Sequence, residues 1–194
     1  MNICVYGASS NIIDDGYILA GEELGEIIAK RGHGLVFGGG DSGMMGAAAR
    51  GAYRQGGYII GVSPDFFNVD GILFENCNEM HLTDGMRSRK KMLDEKSDAF
   101  VISAGGIGTF DEFFEILTLK QLGRHKKPIV ILNTDNYFDA MLQLLDKCVE
   151  GKFMFDKTLE LFKVVSTPQE AVDYIENYKG ELANIAEMKS IDED

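Results

Sequence analysis

Several things are scarce in this chain, and each scarcity narrows what it can be. Its three cysteines, Cys4, Cys77 and Cys148, are scattered, with no CxxC or Cys/His cluster. That pattern excludes a disulfide framework or a zinc ribbon and points to a reducing cytoplasm. Three prolines and no Pro/Ser-rich tract leave no evident linker, so one domain over residues 1–180 is expected, with an acidic tail over 181–194. No apolar run approaches the ~20 residues of a membrane-spanning helix. The longest, such as PIVIL at 128–132, have strand length. The opening MNICVYGASS lacks the basic and long apolar regions of a secretory signal. Basic residues number 19 against 31 acidic, a net charge of −12. Nucleic acid and anionic membranes repel such a chain, so neither is an expected partner. An anionic small ligand would need a local basic spot.

What is present is a regular alternation. Short apolar runs at 2–8, 34–38, 58–62, 98–103 and 128–133, with a weaker one at 163–166, read as strands covered on both faces. Amphipathic stretches at 15–31, 43–55, 84–96, 109–122, 136–149 and 168–178 read as helices. Thr167-Pro168-Gln169-Glu170 is a capping box with proline at the first helical position. The expectation is an α/β fold, one Rossmann-like domain with a mostly parallel sheet and helices on both faces. Residues 63–83 are the least regular and read as a loop that covers a pocket.

Ligands of open parallel sheets bind beyond the carboxyl ends of the strands. Three such ends are rich in small residues: Gly7-Ala8-Ser9-Ser10, Gly38 to Gly43, and Ala104 to Thr109. Glycine lets backbone approach a ligand, and the following helix offers free N–H groups. Gly38-x-Gly40-x-x-Gly43 has the form of a dinucleotide fingerprint, but it follows the second strand and no acidic residue cleanly ends the next one. No GK[ST] follows any turn, so a P-loop is excluded.

In the third turn, Thr109 and Glu112 have the spacing of a capping box. That reading leaves unexplained why two carboxylates, Asp111 and Glu112, begin a helix suited to an anion. Upstream, Met86-Arg87-Ser88-Arg89-Lys90-Lys91 gathers four cations in an acidic chain. At about 100° per residue, Arg89 and Lys90 flank the face shared by Met86, Leu93 and Ser97, whereas Arg87 and Lys91 point outward. A cation beside an inward face needs something negative near it.

These stretches resemble the signatures of the LOG family, the cytokinin-riboside 5′-monophosphate phosphoribohydrolases often mislabelled as lysine decarboxylases. The residues are Gly38-Gly39-Gly40-x-x-Gly43-Met44-Met45-Gly46, Met86-x-x-Arg89-Lys90 and Gly105-Gly106-x-Gly108-Thr109-x-x-Glu112, and the likeness runs through about residues 2–178. Ala104 stands where the family usually has proline, and Phe110-Asp111 where it usually has Leu-Glu. The resemblance implies a Rossmann-like homodimer or higher homo-oligomer without cofactor or metal. It implies hydrolysis of the N-glycosidic bond of a purine nucleoside 5′-monophosphate, AMP or an N6-substituted form, to free base and ribose 5-phosphate. Arg89 and Glu112 would be catalytic, and Gly105, Gly106, Gly108 and Thr109 would hold the phosphate. Ser9, Gly39, Gly40, Gly43, Met86, Lys90 and Asp111 would complete substrate binding. Nothing in the sequence supports a PLP-lysine site. The alternative is a non-catalytic nucleotide or cofactor carrier on the same fold, similar to a molybdenum-cofactor carrier.

Overall fold

A computed structural model describes residues 1–183, so the expected acidic tail lies outside the described residues from 184 onward. Seven parallel strands form one sheet: β1 (Asn2–Tyr6), β2 (Gly34–Phe37), β3 (Ile59–Pro64), β4 (Glu79–Thr83), β5 (Ala99–Ile102), β6 (Ile129–Leu132) and β7 (Lys163–Val165). Their order is β4-β3-β2-β1-β5-β6-β7. The chain steps outward from β1 to β4 and then returns to lay β5 on the other side of β1. Neighbouring connections therefore diverge between β1 and β5, which opens a crevice at their carboxyl ends.

The strand side chains alternate between two apolar layers. Ile3, Val5, Leu35, Phe37 and Val101 pack against α1 (Asp15–Lys30), α2 (Gly43–Arg54) and α6 (Pro168–Asn177). Cys4, Tyr6, Val36, Phe100 and Ile102 pack against α3 (Met86–Lys96), α4 (Ile107–Gln121) and α5 (Asp139–Glu150). With both faces covered, the central strands are apolar along their whole length. The capping box of α6 forms as expected, with Glu170 N–H donating to the Thr167 side chain and the Glu170 carboxylate accepting from Thr167 N–H.

One strand lies where the sequence reads as loop. β4, with sequence EMHLT, pairs along β3 from Ile60–Glu79 to Pro64–Thr83. It is an edge strand, half-buried over Glu79–His81, exposed at Leu82 and buried at Thr83, so its polar residues hide it from any search for continuous apolar runs. The remainder of 63–83 does cover something, but the backbone of the β2 turn rather than a pocket. Phe74 N–H donates to the Gly39 carbonyl and Asp41 N–H to that of Ile72, both at 2.9 Å. Phe66 and Phe67 stay exposed. No described helix is long and apolar enough to cross a membrane.

Candidate active site

The sheet order brings the three small-residue turns to one edge, and α3 and α4 carry their charged residues over it. Arg89 lies in the first turn of α3 and Glu112 in the second turn of α4. Arg89 Nη1 donates to Glu112 Oε1 at 2.9 Å, and Arg89 Nε donates to the Val62 carbonyl at 3.2 Å. Both side chains are under a tenth exposed. Arg87 and Lys91 face solvent as the helical geometry requires. Burial pushes the Glu112 carboxyl up to about 7, with the Arg89 guanidinium pulling against it. Removing one partner of such a pair would leave the other as an uncompensated buried charge.

Gly38 makes this pair possible. A Cβ at Gly38 would lie 2.2 Å from Arg89 Nη2, so the guanidinium occupies the space that any other residue would fill. The other glycines of that turn serve packing. Gly39 and Gly43 hold φ of +81° and +64°, and a Cβ at Gly43 would meet the Ala8 carbonyl at 2.4 Å. Gly43 N–H already donates to Asn11 Oδ1 at 2.8 Å, Met45 N–H to Ala8 and Gly46 N–H to Ser42. Gly40 forms an isolated bridge with Leu73, and Ser9 is exposed with its backbone against Gly43. The amino end of α2 is thus closed by the chain itself.

The amino end of α4 is not. Its cap is Gly106, which supplies no side chain, and no described residue accepts from the N–H groups of Ile107, Gly108 or Thr109. The capping box suggested by Thr109 and Glu112 does not form, because the helix begins two residues before Thr109 and Glu112 turns to Arg89. Gly105 is packed: a Cβ there would lie 2.1 Å from Thr109 Oγ1 and 2.9 Å from Ala8 N. Gly106 and Gly108 have open space beside them. Amides that no described residue accepts from, at a positive helix end, are of the kind that suit an anion.

Lys90 and Asp111, both expected at the substrate, meet each other: Lys90 Nζ lies 2.9 Å from Asp111 Oδ2 and also pairs with Glu115. Burial disfavours the Lys90 charge, and the carboxylates of Glu115 and Asp111 outweigh it, raising its pKa. Met86, placed by periodicity on the inward face, is 41 % exposed because it is the first residue of α3 and overhangs the strand end. A cavity of about 90 Å³ between α3 and α4 is lined by Tyr6, Lys90, Asp94, Glu112, Glu115 and Ile116 among others, with none of the turn glycines. Among the described residues no three His, Cys, Asp or Glu side chains gather as a metal site. Two residues escape the sequence reading. Asn11 caps α2 from 32 residues away, and Tyr137 donates its hydroxyl to the Gly105 carbonyl at 2.6 Å. Neither leaves a local sequence signal, since each acts on a distant segment.

Known proteins share both sequence and fold with this arrangement. A family profile described as "Possible lysine decarboxylase" matches residues 45–175. The chain is 35 % identical over 176 residues, 91 % of it and 70 % of the relative, to a probable cytokinin riboside 5′-monophosphate phosphoribohydrolase, LOGL6, of Oryza sativa subsp. japonica. It is 34 % identical over 188 residues, 97 % of it and 88 % of the relative, to the cytokinin riboside 5′-monophosphate phosphoribohydrolase LOG1 of Arabidopsis thaliana. Among solved structures, the molybdenum cofactor carrier protein of Chlamydomonas reinhardtii aligns with a TM-score of 0.70 at 25 % identity, covering 90 % of this chain and 95 % of that one. The molybdenum cofactor binding protein of Rippkaea orientalis aligns with a TM-score of 0.70 at 22 % identity, covering 90 % and 94 %, which is a likeness of fold. The carrier structures align over a similar share of the chain at lower identity, whereas the phosphoribohydrolase relatives are 34–35 % identical nearly end to end, and the chain belongs to the LOG family.

Proposed function

We propose that this protein hydrolyses the N-glycosidic bond of a purine nucleoside 5′-monophosphate, AMP or an N6-substituted AMP, releasing base and ribose 5-phosphate. The observation that carries the reading is the buried Arg89–Glu112 pair together with the first amides of α4, from which no described residue accepts. The names of the LOG relatives supply the substrate class. The catalytic unit proposed is residues 1–180, working as a homodimer or higher homo-oligomer.

In this reading the 5′-phosphate sits on Gly106, Gly108 and Thr109 at the α4 amino end, with Gly105 shaping the turn. Glu112 holds the ribose hydroxyls and sets negative charge against the oxocarbenium-like centre that grows at C1′ as the bond to the base nitrogen breaks. The bond's electron pair leaves with the base, which gains a proton, and water oxygen bonds to C1′. Arg89 is always charged and a poor proton donor, so its part is to orient Glu112 and the phosphosugar. Lys90 and Asp111 brace the outer side of α3 and α4, and Ser9, Gly39, Gly40, Gly43 and Met86 frame the crevice.

Incubation with AMP and with isopentenyl-AMP, followed by chromatography, tests this. Free base is expected from at least one, and its absence from both would sink the enzyme reading. Adenosine should be a much poorer substrate than AMP, because phosphate contacts then contribute to the transition state. The fold likeness to molybdenum-cofactor carriers favours a carrier as the second reading. That reading has no use for the Arg89–Glu112 pair.

A further inference from the structure

We propose that Tyr137 is a positioning residue that fixes the phosphate-facing orientation of the Gly105–Gly106 peptide. This inference rests on the phosphate site proposed for the α4 amino end.

The argument starts from the turn after β6. Thr134–Asn136 form a short 3₁₀ turn in which Asp135 and Asn136, neither a glycine, hold φ of 51° and 59°. Two consecutive left-handed residues carry a modest cost even for Asp and Asn, which enter this region more readily than other side chains. In the same turn Thr134 Oγ1 is buried without a hydrogen-bond partner, a further local cost. Asn133 holds the turn closed, accepting from Phe138 N–H at 2.7 Å and donating to Asp139 at 2.8 Å. These local costs coincide with one contact across the sheet edge: the Tyr137 hydroxyl donates to the Gly105 carbonyl at 2.6 Å. The ring is steadied edge-on by Tyr17 of α1 and by Phe138.

That contact matters because of what a peptide plane does. In a trans peptide the C=O and the next N–H point in opposite directions. Tying the Gly105 carbonyl to Tyr137 turns the Gly106 N–H away from Tyr137. Gly106 has open space beside its Cα, and the free amides of Ile107, Gly108 and Thr109 follow it. A peptide between two glycines has little steric preference and rotates readily when untethered. The Tyr137 bond removes that freedom before any anion arrives, which is preorganisation of the site.

The test is Tyr137→Phe, which keeps the ring and its contacts and removes only the hydroxyl. Dissociation constants for inorganic phosphate, ribose 5-phosphate and adenine are measured by calorimetry on wild type and variant, with thermal melts alongside. Loss of one neutral hydrogen bond predicts about fivefold weaker binding of phosphate and ribose 5-phosphate. Adenine affinity should stay unchanged, and the melting temperature should fall by no more than the loss of one hydrogen bond implies. In turnover of a nucleotide the loss should appear in KM more than in kcat. Equal phosphate affinity in both proteins overturns the inference, as does parallel weakening of adenine and ribose 5-phosphate, which would mark a general structural role. Failure of wild type to bind either phosphate compound would instead overturn the phosphate site itself. Binding is read without catalysis, so the two failures are told apart.

Discussion

Two glycine-rich turns sit side by side on this sheet edge and have opposite fates. The β2–α2 turn carries more glycine and the formal GxGxxG spacing, yet its carbonyls and amides are taken by Asn11, Ala8, Ile72 and Phe74. The β5–α4 turn has the less familiar spacing, yet its helix amides are free and its Gly106 and Gly108 face open space. The lesson is that glycine marks a place where something approaches the backbone, and does not say what. At β2 the arrivals are a guanidinium and neighbouring chain; at β5 there is room for a ligand.

The sharpest way to break this comparison is to disable the charged pair over both turns. Glu112→Gln and Arg89→Ala should each lower base release by about 10² or more, the usual cost of removing a group set against developing charge. The Gln variant should also melt lower, because it leaves the Arg89 guanidinium buried without its counter-charge. Near-normal turnover in both would remove the pair from the chemistry. The same carboxyl sets a pH dependence. Its pKa is raised to about 7, so it is protonated below that value and ionised above it. Since the ionised form is needed, kcat/KM should fall about tenfold per unit below pH 7 and level off above it. A flat profile between pH 5.5 and 7, as orders of magnitude, would contradict the assignment.

Gly43→Ala should act on folding. It forces a methyl to 2.4 Å from the Ala8 carbonyl at a φ of +64°, and backbone strain alone costs about 1–3 kcal/mol. A lowered denaturation midpoint with unchanged phosphate affinity in the folded fraction is expected. Gly38→Ala sharpens the contrast, because its methyl would meet the tip of Arg89 at 2.2 Å rather than backbone. That tip is buried and bonded to Glu112, so displacing it should lower kcat by about tenfold or more and lower stability as well, since it loosens a buried pair. Asn11→Ala is the mildest. It frees Gly43 N–H and should cost about 1 kcal/mol of stability, as loss of a helix cap does, with turnover intact.

Much of this was legible beforehand, for identifiable reasons. The strands β1, β2, β3, β5 and β6 are apolar throughout because both sheet faces are covered, and that leaves a plain signal. Arg89 and Lys90 were placed beside the inward face of α3 by helical spacing alone, and Arg89 is buried there. β4 was missed because an edge strand keeps polar residues. Met86 was misplaced because helical periodicity says nothing about where a first turn overhangs its neighbours. Thr109 and Glu112 have the spacing of a capping box, and spacing cannot tell whether a carboxylate turns back to its own helix or across to another.

The sequence by itself determined the alternation of strand and helix, the positions of the turns, the family, and which residue types stand ready for chemistry. These depend on local periodicity, and on motifs whose order along the chain is fixed. The tertiary structure alone decided which turn stays open, which cation meets which carboxylate, and that Asn11 and Tyr137 reach across to Gly43 and Gly105. Those outcomes depend on contacts between segments tens of residues apart. Whether a glycine's empty side is filled by Arg89, by the Ala8 carbonyl or by nothing is set by the strand order that brings those segments together.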